Sequence, residues 1–348
     1  MSDGTQALAE SAPATTKTGS RGFTPTTLAW PIIALAVLLL FNLIFTPGFF
    51  HIEWKQGHFY GVPVDILLHG SQVMFLALGM SLVIATGGVD LSVGAVMAIA
   101  GAVAAVLINQ TNNVFLAVGG ALLCGLIAGT WNGVLVGVFK LQPIVATLVL
   151  MVAGRGIAQL VTGGQIVGFK QESLEFLGKG SVLGLPFPII LALVTFALTS
   201  LLTRRTAIGL FVETVGDNEI ASRYAGLNPG QIKFLVYVFA GFCAALAGVV
   251  GAANIGAADP NYLGLNLELD AILAAVVGGT ALTGGRFSLT GAMLGALLIQ
   301  TLTTTLYMRN VNPNIAPLPK AIVIILVCLL QSETFRARIS GLGKRRAA

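Results

Sequence analysis

Charge is scarce in this sequence. Of its 348 residues only 9% are Asp, Glu, Lys or Arg, whereas a soluble globular domain carries about 25%. A soluble fold of this size is excluded, because a compact chain always leaves much of its surface in water and needs polar groups to cover it. Cysteine is nearly absent too. Cys124, Cys243 and Cys328 all sit in apolar runs, odd in number and without metal-ligand spacing, so no disulfide framework and no metal site is expected. The three histidines, His51, His58 and His69, have no second ligand at helical spacing. A phosphate-binding Gly-x-x-x-x-Gly-Lys-Ser/Thr loop is missing. Its nearest approach, Gly178-Lys179-Gly180, has Ser173 in place of the first glycine and Gly180 in place of the magnesium-binding hydroxyl. There is no Gly-x-Ser-x-Gly nucleophile elbow either. These absences argue against an enzyme and against a bound cofactor, and they put any ATP hydrolysis on another polypeptide.

What is present is apolar: 55% of the residues are hydrophobic and the mean hydropathy is +0.89. A membrane-spanning helix needs roughly 20 mostly apolar residues. Ten such runs are expected, at about 28–46, 63–85, 92–110, 114–138, 143–163, 185–203, 232–253, 268–283, 288–307 and 317–332, the eighth short and broken by glycine. The fold class expected is an all-α, polytopic transmembrane bundle of about ten helices. The 43 glycines suit close helix approach in lipid.

The net charge of +5 does not point to nucleic acid, because the basic residues cluster at the ends of apolar runs. With the N-terminus in the cytoplasm, Lys55, Lys170, Lys179, Arg309 and Lys320 fall outside and Arg155 lies within a helix. The other 13 of the 19 Lys and Arg fall inside, which is the positive-inside bias. Both termini are therefore expected on the cytoplasmic side of the membrane. Residues 1–27 are expected to be a disordered leader with no cleaved signal peptide, 28–332 the membrane domain and 333–348 a basic tail. Trp30 and Trp54 fall near the expected interfaces.

Residues 204–231 form the one long hydrophilic stretch expected on the inside. Asp217 or Asn218 can cap a short helix. Glu219 in its first turn and Arg223 in its last suit the helix dipole, Gly226 stops it, and Asn228-Pro229 starts the next helix. Ile220, Tyr224 and Leu227 give it an apolar face. Two Gly-Gly breaks interrupt apolar territory, at 86–95 and 283–292. Gly87, Gly88, Gly94 and Ala95 align without gaps on Gly284, Gly285, Gly291 and Ala292, the pattern of an internal pseudo-repeat, and interrupted helices in transporters mark ligand sites.

Ionisable groups inside a membrane line a path or pair with one another. The candidates are Asp90, Arg155, Glu268 and Asp270, joined by Ser92, Asn132, Gln159 and Asn254 as hydrogen-bonding groups. Against a path role, Asp90 can be a helix cap, Arg155 half of a structural ion pair, Glu268 and Asp270 markers of a helix start, and each amide a helix–helix contact.

Residues 84–102, Ile-Ala-Thr-Gly-Gly-Val-Asp-Leu-Ser-Val-Gly-Ala-Val-Met-Ala-Ile-Ala-Gly-Ala, strongly resemble the signature of ribose-type sugar permeases of bacterial ATP-binding cassette importers. Gly216-Asp-Asn-Glu-Ile-Ala-Ser-Arg-Tyr-Ala-Gly226 is similar to that family's coupling segment, and Tyr237–Gly248 continues the likeness. Gln142–Gln159 looks closest to the galactofuranose-type branch. The likeness spans about residues 60–332. It implies a pore of two permease chains, identical or paired, a periplasmic sugar-binding protein outside, and a cytoplasmic ATPase docked on Gly216, Asp217, Asn218, Glu219, Ala221, Arg223, Tyr224, Ala225 and Gly226. Membrane lipid is the remaining partner. The alternatives are an ion-coupled secondary transporter working through Asp90 or Glu268, or a permease of the same family for a nucleoside or an autoinducer. A polytopic membrane enzyme would need a convergent catalytic site, and the sequence has none.

Overall fold

The computed structural model describes residues 26–55, 57–312, 315 and 317–331. Most of the expected leader and the whole basic tail therefore lie outside the described residues. In chain order the elements are α1 (Thr26–Phe45), a hairpin β1–β2 (Glu53–Lys55, His58–Tyr60), α2 (Val62–Ala85), α3 (Val93–Thr111) and α4 (Val114–Gly133). The last is prolonged by a π-helical turn, Val134–Val138. Then come α5 (Pro143–Thr162), β3 (Val167–Gly168), α6 (Glu172–Lys179), β4 and β5 (Ser181–Val182, Leu185–Pro186) and α7 (Phe187–Arg205). The rest are α8 (Ile208–Asp217), α9 (Glu219–Tyr224), α10 (Pro229–Ile255), β6 (Ala257–Ala258), α11 (Leu267–Val277), α12 (Leu289–Met308) and α13 (Pro317–Gln331).

Among the described residues eight helices are long and apolar enough to cross a membrane: α1, α2, α3, α4 with its π turn, α5, α7, α10 and α12. Of the ten expected runs, 268–283 departs most. Its helical part is confined to the 11-residue α11, Leu267–Val277, about half a span at 1.5 Å per residue. After Val277 the chain turns through Gly279, Gly284 and Gly285, all at positive φ. The helix ends otherwise follow local chemistry. Asn113 accepts from the Phe115 and Leu116 amides at the start of α4, and Ser288 from the Gly291 amide at the start of α12. Asn228 accepts from the Gln231 amide ahead of Pro229 in α10. The short strands pair as three small antiparallel ribbons, β1–β2, β3–β6 and β4–β5. Gly184 between β4 and β5 touches Trp54 and Phe59 of the first hairpin, so these ribbons share one side of the bundle. That is the hairpin side here; the opposite side, where α1 begins, is the leader side.

The 27-residue α10 is the axis of the bundle. It packs against α4, α3, α2 and α6, and its Tyr237 is fully buried. Its tightest neighbour is α4, and the reason is a row of glycines. Gly125 faces Gly241 and Ala245, Gly129 faces Tyr237 and Val238, Gly133 faces Phe234, and Gly137 faces the backbone of Gly230. The period of four keeps all four on one stripe, so the two backbones meet without side chains between them. Lipid-facing helices are different. The apolar side chains of α5, such as Val145, Val149 and Val152, stand exposed, and lipid or a further chain must cover them.

Gly129→Ala tests this packing. A Cβ there would sit 2.5 Å from the Tyr237 carbonyl oxygen and 2.8 Å from the Val238 Cα. Forced overpacking of this kind costs about 1–3 kcal/mol. In the same helix a Cβ on Gly119 meets nothing within 4 Å, so Gly119→Ala is expected to be neutral or to stabilise by up to about 1 kcal/mol. Thermal unfolding of the detergent-solubilised variants separates the two, and equal melting temperatures would refute the close contact.

Candidate functional site

Three constellations stand out, beginning on the leader side. The two Gly-Gly breaks that align in the sequence touch each other in space. The Gly285 amide donates to the Ala85 carbonyl at 2.9 Å. A Cβ on Gly284 would lie 2.8 Å from the Gly216 carbonyl oxygen and 3.1 Å from the Gly87 nitrogen. Gly87, Gly284 and Gly285 have φ of +79°, +86° and +87°, a region that glycine enters without penalty. Gly216, near the end of α8, wedges against both breaks. The segment 208–226 therefore rests directly on the two interrupted helix pairs. It holds two helices, α8 and α9, where the sequence suggested one. Asn218 caps α9 by accepting from the Ala221 amide at 2.9 Å, and Gly226 ends it at φ +85°. Glu219 and Arg223 face one way, paired to each other at 3.5 Å and, through Glu219, to Lys233 at 2.6 Å. The Lys233 hydrogen bond holds the Glu219 carboxyl below its usual range, against partial burial. Ile220 and Tyr224 face out, 70% and 89% exposed.

The second constellation is buried. Asp90 is 1% exposed. Its Oδ1 accepts from the Ser92 amide at 2.9 Å and from the Ser92 hydroxyl at 2.6 Å, and Asn132 of α4 donates to that hydroxyl at 2.8 Å. Tyr237 of α10 and Thr147 of α5 each donate to the Val89 carbonyl at 3.4 Å. The break before α3 is thus fixed by three other helices. Asp90, Ser92 and Asn132 come together as a bracket and line neither of the hairpin-side cavities described next.

The third constellation is a cavity of about 770 Å³ opening toward the hairpin side. An adjoining one of about 390 Å³ shares Gln72, Leu265 and Leu267 with it. Asp270 lines the larger cavity and pairs with Lys320 at 3.0 Å, the two side chains 16% and 15% exposed. Asn254 contacts His69, also in the lining, at 3.4 Å. Arg155 and Gln159 of α5 hold the loop beside it: Arg155 donates to the Leu263 carbonyl at 2.6 Å and Gln159 to Asn261 at 2.8 Å. Glu268 lays its carboxylate against Gly94 at the start of α3, leaving no room there for a Cβ. The sequence reading missed most of this lining. Asp65, His69 and Gln72 on α2 recur at i, i+4 and i+7, and Gln300, Thr303, Thr304 and Tyr307 on α12 at i, i+3, i+4 and i+7. Those spacings are visible in the sequence as polar stripes on apolar spans, and His69 had been weighed only as a metal ligand.

Residues 62–329 match the family described as branched-chain amino acid transport system / permease component. The chain belongs to this permease family. The permease is 48% identical over 321 residues to the galactofuranose transporter permease protein YtfT of Escherichia coli, covering 91% of this chain and 94% of that one. It is 38% identical over 328 residues to the fructose import permease protein FruF of Bifidobacterium longum, with 92% of each chain covered. With the ribose import permease protein RbsC of Escherichia coli it shares 36% over 327 residues, 91% of this chain and 98% of that one. No solved structure matches. The permease is thus a multi-pass membrane protein and a transport component, not a catalyst. The three constellations suit that work: a polar mouth on one side, a helical surface on the other, and a bracketed break between them.

The bracket is tested at Asp90. Asp90→Asn keeps an acceptor oxygen for Ser92, whereas Asp90→Ala leaves a buried amide and hydroxyl without their partner, at a cost of about 1–3 kcal/mol. The Ala variant is expected to melt well below the Asn variant in detergent. Matching melts for both would refute the bracket.

Proposed function

We propose that this permease is the membrane-spanning subunit of a bacterial ATP-binding cassette importer for a monosaccharide, galactofuranose or a pentose or hexose like it. The observation that carries the reading is the 48% identity with a galactofuranose transporter permease along nearly the whole of both chains. The polar mouth supports it. Its amides, hydroxyls and carboxylates on α2, α11 and α12 match the many donors and acceptors of a sugar, while the apolar residues between them cover the ring faces. In this reading the leader side, with both termini, faces the cytoplasm. The hairpin side receives sugar from a periplasmic binding protein. A second permease chain, identical or related, completes the pore, and the ATPase seats on the outward face of α9. ATP-driven movement of α8–α9 reaches Gly216 and hence both glycine breaks at once, so one push shifts two helix pairs.

Three measurements test the proposal. In proteoliposomes holding permease, ATPase and binding protein, sugar uptake is expected only with ATP inside the cytoplasmic compartment. Uptake driven by a proton or sodium gradient without ATP, or competition by leucine rather than by sugars, would overturn it. Tyr224→Ala should leave the permease folded and uncouple ATP hydrolysis from uptake, because an exposed side chain contributes to docking and not to the core. In the mouth, Gln300→Leu should raise the half-saturating sugar concentration about tenfold, the worth of one hydrogen bond. An unchanged value would remove the mouth from the path.

A further inference from the structure

A separate cavity, of about 500 Å³, opens on the leader side. Its walls are the π-turn end of α4, the start of α5, and the α9–α10 junction. Three cations converge on it, Lys140, Arg223 and Lys233, against the single carboxylate Glu219. Glu219 bonds Lys233 and Arg223, which leaves the cavity with a net positive charge. The first turn of α10, capped by Asn228, adds the positive end of a long helix. Lys140 is held at φ +56°, a conformation uncommon for a residue with a side chain, and it stands two residues after the π turn, a distortion found mostly at functional sites.

The height of this cavity decides what it can take. Val138, Pro143 and Pro229 are the ends of three membrane spans, and the cavity is built from those ends and the residues beside them. It therefore lies at the level of lipid headgroups. On its membrane side Phe139, Leu141 and Ile144 stand exposed, an apolar shelf at the height of acyl chains. A protein docking from solvent meets a different surface, since Ile220 and Tyr224 on α9 point away from the Glu219–Arg223 face.

We propose that this cavity is a binding site for the phosphodiester headgroup of an anionic phospholipid, with Lys140 and Arg223 on the phosphate and the acyl chains along Phe139, Leu141 and Ile144. Basic pockets between spans recognise such headgroups by charge at short range. Because Arg223 belongs to α9, the bound lipid ties that helix to the α4–α5 turn. The proposal does not rest on the identity of the cargo.

Native mass spectrometry of the full-length chain tests it, with phosphatidylglycerol and phosphatidylcholine of matched acyl chains supplied in equal amounts. Preferential retention of phosphatidylglycerol is expected. Lys140→Gln should weaken it about fivefold, equivalent to about 1 kcal/mol, while Lys140→Arg should preserve it. Lys170→Gln, on the hairpin side, serves as the control and should leave it unchanged. Equal retention of the two lipids would overturn the site, as would a Lys140→Gln variant that binds like the parent. Displacement by acyl-free glycerol phosphate at the same concentration as the lipid would also overturn it, marking a site for a soluble anion.

Discussion

The rest of the structure depends on the backbone contact between α4 and α10. In lipid no hydrophobic force drives helices together, so association rests on close packing and on polar contacts. Four glycines on one stripe, Gly125, Gly129, Gly133 and Gly137, let α4 approach α10 as closely as two helices can. That approach brings Asn132, on the same helix, within reach of Ser92. It also places Tyr237 of α10 under the Val89 carbonyl. The buried bracket around Asp90 is therefore a consequence of the glycine stripe and would lose its partners if α4 stood off by a side chain's thickness.

The same economy of side chains governs the leader side. Gly216, Gly284, Gly285 and the Ala85 carbonyl meet backbone to backbone. A junction of this kind transmits displacement well, because no flexible side chain lies between the moving parts to absorb it. It links α8–α9, which present Ile220 and Tyr224 to solvent, with both interrupted helix pairs. The hairpin-side mouth is built in the opposite manner, from side chains that reach across space. Asp270 bonds Lys320 between α11 and α13, and Arg155 and Gln159 pin the loop ahead of α11. The leader-side junction is thus rigid backbone on backbone, whereas the hairpin-side cavity is walled by side-chain contacts that can separate.

Much of this was legible beforehand, and particular residues show why. Asn228-Pro229, Asn218 and Gly226 mark helix starts and stops through bonds to their own neighbours, so their roles survive any tertiary arrangement. Spans such as α2 and α10 are equally plain, since length and apolarity suffice. The run at 268–283 misled because composition cannot tell an 11-residue half-span from a full one when glycines follow. The eight polar residues proposed for a path were chosen by the cost of their charge in lipid or by their hydrogen-bonding capacity, criteria that do not separate a bracket such as Asp90–Ser92–Asn132 from a lining residue such as Asp270. The stripes on α2 and α12 were within reach of a periodicity argument applied to polar residues as well as apolar ones.

The sequence by itself determined that the chain is a helical membrane protein, where most of its helices begin and end, and that two Gly-Gly breaks interrupt its apolar runs. Those properties follow from local backbone chemistry and from the solvent the chain must inhabit. Only the tertiary structure decided that the two breaks meet at Gly216, that Asp90 is enclosed by α4, α5 and α10, and that Asp65, His69, Gln72, Gln300 and Asp270 surround one cavity. Each of those facts depends on which helices are neighbours and on their rotation about their own axes. Neither quantity is written in any single span; both emerge from the mutual fit of glycine stripes and polar contacts across the whole bundle.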